Sequence, residues 1–228
     1  MAKRSYHHGN LRSALKQAAL DLVAKHGPRG FTLKEAATLA GVSVAAPYRH
    51  FDDREDLIAA LAADGYGLLD AFLCDAAVGH APSRAMVESL GRAYVRFASE
   101  NPALYRVMFG AGLEKARYPA LQEVAHRAFE RLVAAVVGAQ ATGSLARHDE
   151  PVELAIGCWA LAHGLATLHV DGALGELAKK SAAVATVYGD ATTIAPFEET
   201  VARAVRRFLE MSSGSSAKRP RAGRRPAR

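Results

Sequence analysis

The sequence predicts an all-α protein in which a three-helix N-terminal unit with a helix-turn-helix pattern precedes a larger helical bundle. Apolar residues recur at spacings of three and four along most of the 228 residues, and no segment has a sustained alternating strand pattern. A glycine-containing turn follows a short capped segment near residue 41. Half of the residues are hydrophobic, so a chain of this length can bury a core, which excludes disorder throughout.

The first predicted helix has one apolar stripe, formed by Leu11, Leu15, Ala18, Ala19, Leu22 and Val23. Gly27 and Pro28 end it, because glycine favours the position after a helix and proline cannot continue one. The next helix begins with the spacing of a capping box. In that motif the Thr32 hydroxyl accepts from the Glu35 backbone, and the Glu35 carboxylate accepts from the Thr32 backbone.

The second helix ends at Ala40–Gly41, and a third helix is predicted over Val44–Phe51 with Ser43 as its N-cap. Gly41 allows the sharp turn, and Val42 fills the angle between the two helices. Two short helices joined in this way form a helix-turn-helix pattern. An ordinary three-helix corner is the alternative interpretation.

The charge distribution favours the helix-turn-helix interpretation over the ordinary three-helix corner. Residues 1–51, here called the head, carry eight Lys/Arg and two Asp/Glu, a net charge of +6. Residues 52–211 carry 15 basic and 21 acidic residues, a net charge of −6, and residues 212–228 carry six basic residues and no acid. A basic head on an acidic body indicates a polyanionic partner such as DNA.

The composition also predicts the compartment. No apolar stretch follows the charged N-terminus, so the sequence lacks the pattern of a secretory signal. The longest uncharged run, Leu154–Val170, contains His163 and His169 and is interpreted as a core helix rather than a membrane span. Cys74 and Cys158 are far apart and form no CxxC pair, which favours a reducing cytoplasm without a disulfide or a metal site.

The segment TLKEAATLAGVSVAAPYRHFDDREDLIAAL, residues 32–61, resembles the DNA-binding domain of TetR-type (AcrR-like) transcriptional repressors. The signature runs through Ala40–Ser43, Tyr48, His50–Phe51 and Leu57. Tyr6–Arg12 and Trp159–Gly164 resemble a subgroup with a WHG-type C-terminal domain. The resemblance implies a cytoplasmic homodimeric regulator with a DNA-binding domain over 9–69, a ligand-binding and dimerisation domain over 70–211, and a basic, disordered tail over 212–228.

In this arrangement the third helix enters the major groove of double-stranded DNA. Small apolar side chains there can contact thymine methyl groups, and Arg49 can pair with guanine. By resemblance Tyr48, His50 and Arg54 contact phosphates, with Lys34 as a further contact, and Thr32 lies at a helix N-terminus that favours phosphate. The predicted DNA-binding residues are Thr32, Lys34, Ser43, Val44, Ala45, Ala46, Tyr48, Arg49, His50 and Arg54. Pro47 departs from the family pattern, because an aliphatic residue usually stands there, and it removes one helical hydrogen bond.

Helices of the body are predicted over 53–78, Arg84–Ser99, Pro102–Phe109, Pro119–Ala141, Pro151–Val170 and Pro196–Met211. By resemblance the last two form the dimer interface; the alternative is that they complete the monomer core. The ligand is an unknown small-molecule inducer, and the candidate residues for binding it are Tyr105, Phe109, His126, Trp159 and His163. Each of these is also compatible with a purely structural role.

Two basic segments keep alternative interpretations. His7 and His8 belong either to an arm on DNA or to a solvated terminus, and the tail either holds DNA or has no function.

An enzyme is the rival functional class. Ser13–Lys16 fits an S-x-x-K pattern, but the partner motifs of such enzymes are missing. No Walker loop, GxGxxG or HExxH occurs, so we expect no catalytic residues and no cofactor. A non-specific architectural DNA-binding protein is the other alternative.

Overall fold

The computed structural model describes residues 8–147, 149–188 and 194–215. Within these ranges the chain forms ten α-helices and no strand. Their bounds are α1 His8–His26, α2 Leu33–Leu39, α3 Arg54–Ala77, α4 Arg84–Glu100, α5 Pro102–Gly110, α6 Pro119–Ala141, α7 Pro151–Val170, α8 Ala173–Lys180, α9 Ala182–Tyr188 and α10 Ala195–Ser215. The all-α prediction is confirmed.

The chain divides into two compact units. The first combines the described residues up to Asp75 with Arg96–Glu130, and the second combines Ala76–Val95 with the described residues from Arg131 onward. Helices α3, α4 and α6 each contribute residues to both units. The unit that contains the head therefore also contains α5, which packs directly on α1.

The first unit has its core where α1, α2, α3 and α5 meet. Leu15 of α1 is fully buried, as are Leu57 of α3 and Ala36 of α2, and Phe97 of α4 is equally inaccessible. The stripe predicted for α1 is the face that packs inward, and α1 ends directly before Gly27 as predicted. Burial of this stripe is the main stabilising contribution of α1, because apolar area is removed from water.

The second unit is built around the pair α7 and α10, against which α8 and α9 form a short helical hairpin. Gly157 of α7 lies so close to the Phe208 ring that a Cβ at this position would overlap the ring. Ion pairs join α4 to α10, among them Arg92 with Glu199 at 2.9 Å. Helix α10 thus packs on both α7 and α4.

Most predicted helix bounds agree with the structure to within a few residues, and those of α6 and α7 agree fully. Helices α8 and α9 were not predicted. Helix α10 continues to Ser215, so the first residues of the predicted tail are helical. The remaining tail, 216–228, lies outside the described residues, as do His7 and part of the N-terminal arm.

Helices α3 and α7 are long and apolar enough to cross a membrane by length and composition alone, which is weak evidence because core helices pass the same test. In α7 only 28% of the apolar window is buried within the chain. The expectation of a core helix therefore holds for one face, on which Leu154, Cys158 and Ala162 are buried. Burial also raises the pKa of the Cys158 thiol to about 12, so it stays protonated.

Candidate nucleic-acid interface

The capping box at the start of α2 is present as predicted. The Glu35 amide donates to the Thr32 hydroxyl at 3.2 Å, and the Thr32 amide donates to the Glu35 carboxylate at 2.7 Å. The Thr32 hydroxyl also donates to that carboxylate at 2.8 Å. These hydrogen bonds hold the pKa of Glu35 below its ordinary value. The hydroxyl of Thr32, a predicted phosphate contact, is engaged within the cap.

The turn after α2 has the expected geometry. Gly41 has a φ of +70°, a conformation that glycine adopts without steric cost. Behind it, the Val42 amide donates to the Ala37 carbonyl at 3.0 Å, which folds the chain back across the end of α2. The next segment is thereby directed away from the α2 axis.

The predicted third helix, Val44–Phe51, is wrong in its type and length. The chain forms a turn over residues 44–46 and then a 3₁₀ helix, Pro47–Arg49. Hydrogen bonds span three residues, from the Ala46 amide to Ser43 at 2.9 Å and from the His50 amide to Pro47 at 2.9 Å. Pro47 has no N–H to donate to the Ser43 carbonyl, so an α-helix that began at Val44 would lack its first hydrogen bond.

The prediction that Ser43 is the N-cap of a helix is wrong. The residue at the N-cap position of the 3₁₀ helix is Ala46, and no side-chain hydrogen bond is made there. The first turn of this element is instead fixed by the proline ring, which sets its own φ. Buried Pro47 and Phe51 attach the segment to the rest of the head, and the Arg12 guanidinium lies 5.3 Å from the centre of the Phe51 ring.

The predicted DNA-binding side chains differ in exposure. Val44 is 50% exposed and Tyr48 is 62% exposed. The other exposed members are Thr32, Lys34, Ser43, Ala45 and Arg49, whereas Ala46, His50 and Arg54 are half-buried. The turn and 3₁₀ helix thus present an apolar, an aromatic and a cationic side chain within six residues.

Arg54 is engaged by the protein itself. Its Nη2 donates to the Pro28 carbonyl, and its guanidinium lies 4.8 Å from the centre of the Phe31 ring. These contacts join the start of α3 to the connection between α1 and α2. Its Nε is buried and has no hydrogen-bond partner among the described residues, and the same holds for Nε2 of His50.

The ligand-binding candidates fall into two clusters and one isolated residue. In the first unit Tyr105 packs against Phe109 with ring centres 4.9 Å apart. In the second unit the ring centres of Trp159 and His163 lie 5.7 Å apart. The Nδ1 of His163 is 2.8 Å from the hydroxyl of Tyr94. His126 is separate, with a side chain 72% exposed and paired with Glu130.

Sequence reasoning missed Tyr66 and Lys115, which lie against the first cluster. Tyr66 is buried on α3, and burial with the nearby Tyr105 raises the pKa of its phenol to about 12. The one available signal was a tyrosine at helical spacing within an apolar stripe. In the described part of the chain, no group of three His, Cys, Asp or Glu is placed to hold a metal ion.

Comparison with known proteins agrees with this architecture. The profile for bacterial regulatory proteins of the tetR family matches residues 15–61, and the profile for a tetracyclin repressor-like C-terminal domain matches residues 87–191. A search of the curated proteins gave no match. Fold and head together define a helix-turn-helix DNA-binding regulator of transcription.

Solved structures extend the agreement over nearly the whole chain. A protein with unknown function from Rhodococcus sp. RHA1 is 32% identical with a TM-score of 0.70, over 92% of this chain and 98% of that one. The TetR family regulator PfmR from Thermus thermophilus has a TM-score of 0.65 at 16% identity, over 86% and 97% of the chains. The fatty acid degradation regulator FadR from Bacillus halodurans has a TM-score of 0.66 at 12% identity, over 94% and 100%. The chain belongs to the TetR family of bacterial regulatory proteins.

Proposed function

We propose that the protein is a cytoplasmic, homodimeric repressor that binds a palindromic operator and leaves it when a small molecule binds to the body. The observation that carries the proposal is that Val44, Ala45, Tyr48 and Arg49 are exposed together on the basic head. Exposed Val44 and Ala45 suit thymine methyl groups, Arg49 suits a guanine edge, and Tyr48 suits phosphate. In this proposal residues 9–69 form the DNA-binding domain, and residues 70–211 form the domain that binds the ligand and dimerises.

An exposed apolar face on α7 supports the homodimer. Val152, Ile156 and Trp159 lie at spacings of four and three residues, on one side of the helix, and are 41%, 48% and 40% exposed. A second copy of this chain would remove this surface from water, and two-fold pairing would present two heads to the two halves of a palindrome.

Release by a ligand requires that the ligand prefer one arrangement of the dimer over another, since equal affinity for both shifts nothing. Two clusters offer places for a small molecule. One is Tyr105 with Phe109 in the first unit, and the other is Trp159 with His163 in the second.

Selection from a random DNA library with the full chain tests the proposal. We expect recovery of a palindrome, with half-sites one or more helical turns apart. A parallel selection with a chain ending at Ser215, the end of α10, separates the contribution of the basic tail. Recovery of no motif from either protein contradicts the proposal, and binding that requires the tail favours a non-specific architectural role.

A further inference from the structure

Arg12, in the second turn of α1, carries a positive charge that no acidic side chain of the described residues compensates. Its side chain is exposed, and within the described part of the chain it forms no ion pair with Asp or Glu. Lys16, one turn further along α1, is by contrast paired with Asp64 of α3 at 2.6 Å. The charge of Arg12 therefore remains available to a partner outside the chain.

The aromatic ring of Phe51 holds the Arg12 guanidinium at one place on the head. The guanidinium carbon lies 5.3 Å from the centre of that ring. Phe51 is only 2% exposed, so its own position is fixed by packing. A contact with an aromatic ring leaves the N–H donors of a guanidinium available for other partners, because it uses none of them in a hydrogen bond. The side chain is thus restrained before a partner binds, which reduces the entropy that binding costs.

The contact with Phe51 also places Arg12 beside the segment that is proposed to meet DNA. The Phe51 amide donates to the Pro47 carbonyl at 3.0 Å, and this hydrogen bond encloses Tyr48 and Arg49 in one turn. Both of these side chains are exposed. The aromatic partner of Arg12 therefore belongs to the same turn as Tyr48 and Arg49, although Arg12 itself lies on a different helix.

Arginine suits a DNA phosphate, because its planar guanidinium can donate two parallel hydrogen bonds to the phosphate oxygens. We propose that Arg12 is a further DNA-binding residue, which contacts a backbone phosphate next to those reached from Val44–Arg49. Helix α1 then binds DNA in addition to supporting the helix-turn-helix. Such a contact fixes the position of the head on the duplex and carries no information on base sequence. This inference deepens the proposed DNA binding and rests on it.

The test compares variants of the full chain that lose one positive charge at opposite ends of α1. Arg12→Met removes the guanidinium and keeps an apolar stem next to Phe51. Lys25→Met is the matched control, because Lys25 is an exposed cation in the last turn of α1, about 20 Å from Arg12 along the helix axis. Arg12→Lys keeps the charge. Fluorescence anisotropy measures binding to a labelled DNA duplex of arbitrary sequence over a range of KCl concentrations.

We expect Arg12→Met to weaken binding to the duplex about tenfold, because each bound chain loses a charge-assisted hydrogen bond to phosphate. A plot of the logarithm of the association constant against the logarithm of the salt concentration should become shallower by about one for each bound chain. Lys25→Met should keep the affinity and slope of the unmodified chain, and Arg12→Lys should keep the slope. Equal affinities and slopes for Arg12→Met and Lys25→Met overturn the inference.

A purely structural role for Arg12 gives a different result. If Arg12 acted only by packing on Phe51, Arg12→Met would bind the duplex more weakly with an unchanged salt slope, and that outcome also overturns the inference. Circular dichroism reports whether Arg12→Met folds. If it does not, NMR of the unmodified chain decides. The Nε–H signal of Arg12, assigned by its absence from Arg12→Lys, should shift when the duplex is added, and a signal that does not shift rejects the contact.

Failure of this inference is distinguishable from failure of the proposed function. An unmodified chain that binds no duplex rejects both. Duplex binding in which Arg12→Met and Lys25→Met agree rejects the contact at Arg12 alone. A shallower salt slope for Arg12→Met, without recovery of a palindrome in the DNA selection, supports the contact and rejects the palindromic operator.

Discussion

Glu88 of α4 and Arg206 of α10 form a two-bond ion pair, with Nε–Oε1 at 3.0 Å and Nη2–Oε2 at 2.6 Å. Glu88 is only 5% exposed, so it depends on this partner for compensation of its charge. The carboxylate raises the pKa of the Arg206 guanidinium. Arg84 extends the contact along the same two helices, through Glu210 at 3.2 Å. Charge pairing therefore fixes how α4 lies along α10.

Arg206→Met tests this pairing. It leaves the buried Glu88 carboxylate without its main partner, and we expect the melting temperature to fall by roughly 4 °C. Lys179→Met is the matched control, because it breaks an exposed pair with Glu176 that contributes little. Thermal unfolding followed by circular dichroism measures both. Equal melting temperatures for the two variants would show that the buried pair is not stabilising.

The capping box gives stability that depends on pH. The pKa of Glu35 is lower in the folded chain than its ordinary value of 4.5, so its carboxylate stabilises α2 above that pH. The stabilisation is lost as the pH falls through the lowered pKa. Thr32→Ala should cost about 1 kcal/mol at neutral pH and progressively less in acid. Unfolding measured across this range checks it, and a cost that stays constant with pH contradicts the assignment.

Tyr48→Ala should weaken binding to every DNA sequence by about tenfold, because the exposed tyrosine is proposed to contact phosphate rather than a base. Binding to the selected operator and to unrelated DNA, measured over a range of salt concentrations, tests this. Loss confined to the operator would instead assign Tyr48 to base reading. Arg54 is a poor choice for this test, because its contacts with Pro28 and Phe31 mean that its removal also disturbs the head.

Arg49→Ala should relax preference at one base pair in each half-site, at a cost of about 1–3 kcal/mol for the preferred base. The side chain is exposed at the end of the 3₁₀ helix, so the substitution leaves the fold unchanged. Repeating the DNA selection with this variant measures the change. A uniform loss across all positions would show that Arg49 contacts phosphate.

Ile156→Arg should convert the dimer to a monomer, because it places a charge on the exposed α7 face that is proposed to pair with a second copy. Leu177→Arg on α8 is the matched control, since Ile156 and Leu177 are 48% and 51% exposed. Sedimentation velocity distinguishes the two states. Dimers from both variants, or monomers from both, would contradict the assignment of the interface to α7.

Local signals explain which features could be predicted well. The helix end before Gly27 and the Thr32–Glu35 cap depend on neighbours within a few residues, so their chemistry is visible in the chain itself. Tyr66 and Lys115 lie 49 positions apart, and only tertiary packing brings them together. For this reason no local pattern indicated the hydrogen bond between Lys115 and Tyr66.

The missed helices α8 and α9 have eight and seven residues, too short to be stable by propensity alone. Tertiary contacts hold them. His169 of α7 lies 2.5 Å from the Tyr188 hydroxyl at the end of α9, and stacks on Phe197 of α10 at 4.8 Å. The prediction of a third helix in the head was wrong for the opposite reason. One local residue, Pro47, interrupts a segment whose other residues fit a helix.

The 3₁₀ helix at Pro47–Arg49 has a consequence for protein engineering. Its conformation depends on the packing of the buried side chains Pro47 and Phe51 in this head, because the segment has few hydrogen bonds of its own. Residues 43–49 moved into a related regulator would therefore lack the packing that shapes them. A chimera designed to carry the DNA preference proposed for this chain must therefore exchange the head as a whole.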